Sequence, residues 1–257
     1  MNKRIFLAGL LLMMVACVNA QGIWDRFSDW FSGSTTITAS NVIVTKTVAV
    51  SAFDGLSLTG SIDVTYIQEE GSENPRVVIT GPDNIVELVV VEQTGKTLKV
   101  HFKKNTNIRL NKKPFKVEVY SSEIRKLSLS GSGDLTFGEI KTADFSLALS
   151  GSGDVNGKSI RSTGDVGISL AGSGDVGISS VGCFELSISI AGSGDIVVEG
   201  INSESVSVSV AGSGDITLSG ETQKANYSLA GSGDIDARRL KAQEVSKKKA
   251  GSGDISY

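Results

Sequence analysis

Cysteine is nearly absent from this 257-residue chain: only Cys17 and Cys183 occur. Cys17 falls inside an export leader, where it is removed or lipidated, so the mature chain can close no internal disulfide. Core packing must then carry stability even in an oxidising compartment. Histidine is scarcer still, with His101 alone and far from Cys183 in sequence. Cys183, set among apolar residues in "SSVGCFELSISI", therefore reads as a small buried hydrophobe and not as a nucleophile. An excess of positive charge is also missing. The net charge of -3 leaves no basic footprint, which argues against nucleic acid as a partner. Lysines gather only at Lys103-Lys104, Lys112-Lys113 and Lys247 to Lys249, short runs that read as solvated faces or chain ends. Beyond the leader no apolar run approaches the roughly 20 residues that span a bilayer, so no transmembrane span is expected in the mature chain.

The leader itself is built from Lys3-Arg4, the apolar stretch Ile5 to Ala16, and small residues at Val18-Asn19-Ala20. Residues 1–20 read as a signal peptide, with the mature chain starting near Gln21. Met14-Val15-Ala16-Cys17 also resembles a lipobox, which would make Cys17 a lipidation site. The mature body is expected to be soluble or lipid-anchored. Its 40% hydrophobic residues are enough to bury a core.

What the chain does have is repetition. GSGD recurs with its aspartate at Asp134, Asp154, Asp175, Asp195, Asp215, Asp234 and Asp254, about twenty residues apart. In Val206 to Leu218 the alternate residues Val206, Val208, Val210, Gly212, Gly214, Ile216 and Leu218 lie on one side, with serine, aspartate and threonine on the other. That is the period of a strand, unbroken through GSGD, with glycine inward where the chain bends or another backbone comes close. A unit of this length cannot bury its own apolar face, but stacking on identical neighbours gives a continuous core. The fold class is therefore all-β, a single-stranded parallel β-helix with coils of about 20 residues. Leucine-rich repeats would need a Leu/Asn consensus, and a propeller blade is about twice as long.

"LSLTGSIDV", Leu56 to Val64, aligns with "LALSGSGDV" if Ile62 replaces the second glycine. The 71 residues from Asp63 to Asp134 are expected to hold three or four further coils. Residues 45–257 thus read as one solenoid, irregular over 45–125 and regular over 126–257. Residues 21–44 read as an N-terminal capping segment. In it "IWDRFSDWF" places Trp24, Phe27, Trp30 and Phe31 on one helical face, for a cap or alternatively for a membrane surface or partner. "GDVGIS" occurs at Gly164 to Ser169 and again at Gly174 to Ser179, which suggests a coil of two similar halves. In the last coil Lys247 and Lys249 stand at apolar positions, blunting an edge that would recruit another chain.

Stacked in register, the seven GSGD aspartates stand about 4.8 Å apart. Two unit charges at that distance repel by roughly 3 kcal/mol at an effective dielectric of 20. Either Ser or Gly amides at the turn hydrogen-bond the carboxylates, or a cation sits between them. Calcium is the candidate cation, since GGxGxDxUx repeats form a calcium-loaded β-roll. GSGD lacks the spacer before aspartate, so a turn role is expected, with no cofactor and with Asp134, Asp154, Asp175, Asp195, Asp215, Asp234 and Asp254 as the alternative calcium ligands. A polysaccharide-acting enzyme would draw carboxylates from the same series and a cation from Arg161 or Arg238-Arg239. No coil breaks the repeat as a catalytic coil should, so no catalytic residue is assigned. GSGD is not a phosphate loop either, because GK[ST] is missing and an acid stands where the anion would sit.

The repeated "SGSGD" corners, "AFDGLSLTGSIDVTYIQEEG" and "TGKTLKVHFKK" behind an export signal resemble the auto-transporter adhesin head GIN domain family of Bacteroidetes, over about residues 45 to 257. The resemblance implies a right-handed parallel β-helix in an exported, periplasmic, outer-membrane-associated or cell-surface location. It brings no catalytic residues to carry over. The expectation is an exported, non-enzymatic, adhesin-like solenoid presenting a repetitive Ser/Asp surface to a cell-surface glycan or an envelope protein. A polysaccharide-acting enzyme and a pure scaffold are the alternatives, and nothing in the pattern selects a subunit count.

Overall fold

The computed structural model describes residues 35–257. The expected signal peptide, with Cys17 in it, and the aromatic segment Trp24 to Phe31 lie outside the described residues. The chain forms a β-solenoid of about 7 turns, its strands stacked in parallel. Strand alternation generates this directly. In the strand before each corner, Leu127, Leu147, Ile168, Ile188, Val208 and Tyr227 stack on one another, and so do Leu129, Leu149, Leu170, Ile190, Val210 and Leu229. After the corner, Leu135, Val155, Val176, Ile196, Ile216 and Ile235 continue the pattern. All of these are buried. Each contributes about 1.5–3 kcal/mol by leaving water, and none is buried without its neighbours.

The corner glycines have two separate reasons. The first, as Gly192, takes φ 152°, a conformation that L side chains rarely adopt. The second, as Gly194, has no such φ. A Cβ there would stand 2.0 Å from the carbonyl oxygen of Gly174, one coil below. The corner is glycine because two backbones pass too close for a methyl group.

The N-terminal part differs. Its strands are β1 (Thr35–Thr38), β2 (Ile43–Ala49), β3 (Gly55–Gly60), β4 (Val64–Gln68) and β5 (Arg76–Pro82). After the short helix α1 (Asp83–Val86) come β6 (Val89–Thr94), β7 (Thr97–Phe102), β8 (Thr106–Arg109), β9 (Lys116–Ser121), β10 (Lys126–Gly131) and β11 (Leu135–Thr142). The coil of β3 and β4 stacks directly on that of β10 and β11, and Asp134 sits immediately above Asp63. The expectation of three or four coils between those aspartates is therefore corrected. The intervening residues instead close the end of the solenoid. β7 and β9 form a further parallel layer below β3 and β4. Antiparallel β6 then ends one side, while antiparallel β5 and β2 end the other. Strand-like runs broken by turn residues fit coils and hairpins equally, so sequence alone did not separate them.

This end layer also explains Ile62. The loop joining β7 to β9, residues 103–115, stands in place of a GSGD corner. No tight corner lies below Ile62, so a side chain is accommodated there, and it is fully buried. At the other end Val245, Lys247 and Lys249 stack above Ala225, Tyr227 and Leu229 at inward positions of the last described coil and are exposed. Lys247 lies 4.7 Å over the Tyr257 ring, and Lys249 pairs with Asp254 at 2.8 Å.

Candidate functional site

Each corner aspartate from Asp63 to Asp234 is held by the coil above it. The Asp215 N–H donates to Asp195 Oδ1 at 2.9 Å, and the Ile196 N–H donates to the Asp215 carbonyl at 2.9 Å. The same carboxylate bond joins Asp63 to Asp134 and every later pair up to Asp234 and Asp254, at 2.7–3.0 Å. The aspartate side chain thus supplies an acceptor where the ladder turns and no main-chain carbonyl is aligned. The expected donors, Ser and Gly amides, are engaged elsewhere: Ser193 and Gly194 N–H both point to the Gly172 carbonyl. The donor is the next aspartate's own amide, a partner that only the stacking register discloses. In one coil a second corner repeats the device, with the Asp165 N–H on Asp144 Oδ1 at 3.1 Å and the Phe145 N–H on the Asp165 carbonyl. This is the half-coil similarity that "GDVGIS" suggested.

Among the described residues, no three His, Cys, Asp or Glu side chains gather as a metal-binding group. Other polysaccharide-enzyme candidates are engaged away from the corner column. Arg161 pairs with Glu139 at 3.2 Å, and Arg238 binds Asp236 through two contacts of 2.6 and 2.9 Å. That guanidinium holds the Asp236 carboxyl down at about 2. Cys183 is half-buried, and burial first, then Asp165 and Glu185, push its thiol up to about 12. A thiol so raised is poorly nucleophilic. His101 lies in β7, bonded to its neighbour's carbonyl, Phe102 O, at 2.8 Å.

A different surface has the concavity of a binding site. The outward side of the strand before the corner forms an open groove of about 600 Å³. Two rows run along it. One carries Ser146, Gly167, Ser187, Ser207, Asn226 and Ser246, and the other carries Ala148, Ser169, Ser189, Ser209, Ser228 and Lys248. The row nearest the corner is Ala171, Ala191, Ala211, Ala230 and Ala250. The small side chains follow from stacking, since identical short residues leave the sheet flat enough for neighbouring hydroxyls to share one face. Until Lys248 the groove is uncharged. The alternation in "SISI" and "VSVSV" marks the serines as outward, but the alanine row separating them from the Asp column emerges only from the register.

A family model described as "Putative auto-transporter adhesin, head GIN domain" matches residues 52–180 and 160–257. Among solved structures, a putative adhesin from Bacteroides fragilis superposes with a TM-score of 0.76 at 25% identity, covering 86% of this chain and 99% of that one. A putative lipid binding protein from Parabacteroides distasonis gives 0.66 at 23% identity, with 86% and 99% covered. A putative adhesin from Parabacteroides merdae gives 0.65 at 21% identity, with 86% and 98% covered. The latter two share the fold. Comparison with curated protein sequences gave no match.

Proposed function

The chain belongs to the auto-transporter adhesin head GIN domain family, and from that premise we propose that it is an exported, non-enzymatic adhesin-like protein whose serine groove binds a polar, uncharged glycan of the cell surface. The observation that carries this reading is the repetition of hydroxyls along the groove. Sugars offer a matching periodic set of donors and acceptors, and many equivalent weak contacts multiply through effective concentration. Serine hydroxyls line the groove together with Ile168, Ile188, Val208 and Tyr227, but those four residues are only 2–3% exposed. That supports a sugar over the acyl chain of a lipid. Among the described residues, no helix is long and apolar enough to cross a membrane.

Glycan-array binding of the purified chain tests the proposal. Replacing Ser189, Ser209 and Ser228 by alanine, one coil at a time, should weaken binding stepwise, while Asp195→Asn outside the groove should leave it unchanged. Abolition of an activity by one substitution, with covalent turnover of the glycan, would favour the polysaccharide-acting alternative. Absence of neutral glycan binding would refute the glycan reading.

A further inference from the structure

We infer that the loop 103–115 at the N-terminal end of the solenoid docks the protein onto an anionic phospholipid surface. This goes beyond the groove reading and does not depend on it. Residues 101–116 carry Lys103, Lys104, Arg109, Lys112, Lys113 and Lys116 and no acidic residue, in a chain of net charge -3. The fold concentrates this charge. The rings of Phe102 and Phe115, 5.5 Å apart, close the base of the loop, and both pack against the core. β8 lies within it, paired in parallel with β1.

Neutralisation is sparse. Lys116 pairs with Glu118, and Lys113 reaches Asn41. Lys103, Lys104, Arg109 and Lys112 are exposed and have no acidic partner within ion-pair distance among the described residues. Among the described residues the only non-glycine positions of positive φ are Asn105, Asn111 and Lys112, all in this loop. Lys112, at φ 62°, gains none of the local hydrogen bonding that lets asparagine tolerate this region, so the loop accepts an unfavourable backbone at a charged tip. At the opposite end the lysines are fewer and mostly engaged: Lys247 covers Tyr257 and Lys249 binds Asp254, which leaves Lys248 alone without an acidic partner among the described residues.

Two features favour a lipid surface over a soluble polyanion. The chain enters β1 beside the loop only a few residues after Trp24, Phe27, Trp30 and Phe31, the residue types that settle at membrane interfaces. The loop also continues the edge that carries the aspartate column. An anionic surface attracts the basic end and repels the acidic edge, which directs the coils outward.

Co-sedimentation of the full chain with vesicles tests this, comparing phosphatidylcholine alone with phosphatidylcholine containing phosphatidylglycerol. An apolar leader partitions into both, so the readout is the ratio between them. We expect a preference of about tenfold or more for the anionic vesicles at low salt, suppressed at high salt where screening shortens to a few ångströms. K103Q/K104Q/R109Q/K112Q should remove the preference with an unchanged circular dichroism spectrum, and K247Q/K248Q/K249Q should retain it. Equal binding to both vesicles, a preference that survives the loop variant, or binding to heparin in place of vesicles would each overturn the inference.

Discussion

The same place in the coil is built in two ways. From Gly131 onward the corner is four residues held by stacking. In the end layer it is the 13-residue loop 103–115, closed by Phe102 and Phe115 and tied to β1. A tight corner is held by a neighbour of the same shape, because its amides and carboxylates bond across coils, and the Gly60 to Asp63 corner has that neighbour only above it. The first layer has no such neighbour and needs local side chains to close. Repetition is thus a consequence of having an identical neighbour, and sequence variety returns where the neighbour is lost.

The largest effects should come from exchanging the two solutions. Gly194→Ala drives a methyl group to 2.0 Å from the Gly174 carbonyl oxygen and should destabilise by more than about 3 kcal/mol. The reverse exchange, Ile62→Gly, restores GSGD yet empties a fully buried site, and should cost about 3–5 kcal/mol. Urea denaturation measures both. If Ile62→Gly stabilised the chain, the end layer would not differ from a regular corner in the way described.

Next in size is the carboxylate bond. Asp195→Ala strips the acceptor from the Asp215 amide and should cost about 1–2 kcal/mol, whereas Asp195→Asn keeps a carbonyl oxygen in place and should cost less than about 0.5 kcal/mol. Asp63→Ala should match Asp195→Ala although Asp63 follows isoleucine, since its Oδ1 receives the Asp134 amide at 3.0 Å. A much smaller loss at Asp63 would show that the glycine, and not the carboxylate, makes the stack.

The calcium question follows from the same bond. One oxygen of each carboxylate from Asp63 to Asp234 already accepts an amide. We expect the melting temperature to be the same in chelator and in millimolar calcium. A binding cation would have to raise it, because a ligand of the native state adds stability that grows with the logarithm of its concentration once that exceeds its dissociation constant. A rise of several degrees would assign the column to metal.

Fold legibility divided along the same line. Alternation in "VSVSVAGSGDITL" marked the inward rows, and the spacing of GSGD marked the coil, because both are local signals that stacking repeats. Across Glu70 to Ile124 the same signals could not separate a coil from a hairpin. Partner choice there depends on contacts such as the Arg76–Glu69 pair and the Arg76–Tyr120 stack, set by residues far from any repeat. The serine groove was half legible: outward direction was readable, but the alanine row between the serines and the aspartates was not. The basic loop was visible only as two separate lysine pairs until β7, β8 and β9 placed them on one closed loop.

The last comparison sets two buried tyrosines side by side. Tyr66, in the first coil, has its hydroxyl 2.9 Å from Ser121 Oγ, which itself donates to the Glu123 carbonyl, so the phenol is the donor. Tyr227, in the regular coils, has a buried hydroxyl without a hydrogen-bond partner among the described residues. Tyr66→Phe should therefore lose about 1 kcal/mol, and Tyr227→Phe should gain up to about 1 kcal/mol by removing an unsatisfied group. Burial is the main influence raising both phenols to about 12. Since the folded value exceeds the ordinary 10, both contribute stability below pH 10 that is lost as pH rises toward 12. Each phenylalanine variant should flatten part of that alkaline loss, which separates the ionisation from the hydrogen bond. If Tyr227→Phe destabilised the chain at neutral pH, its hydroxyl would have a partner in solution. The regular coils would then hold a polar contact inside a stack that otherwise works by repeating apolar rows.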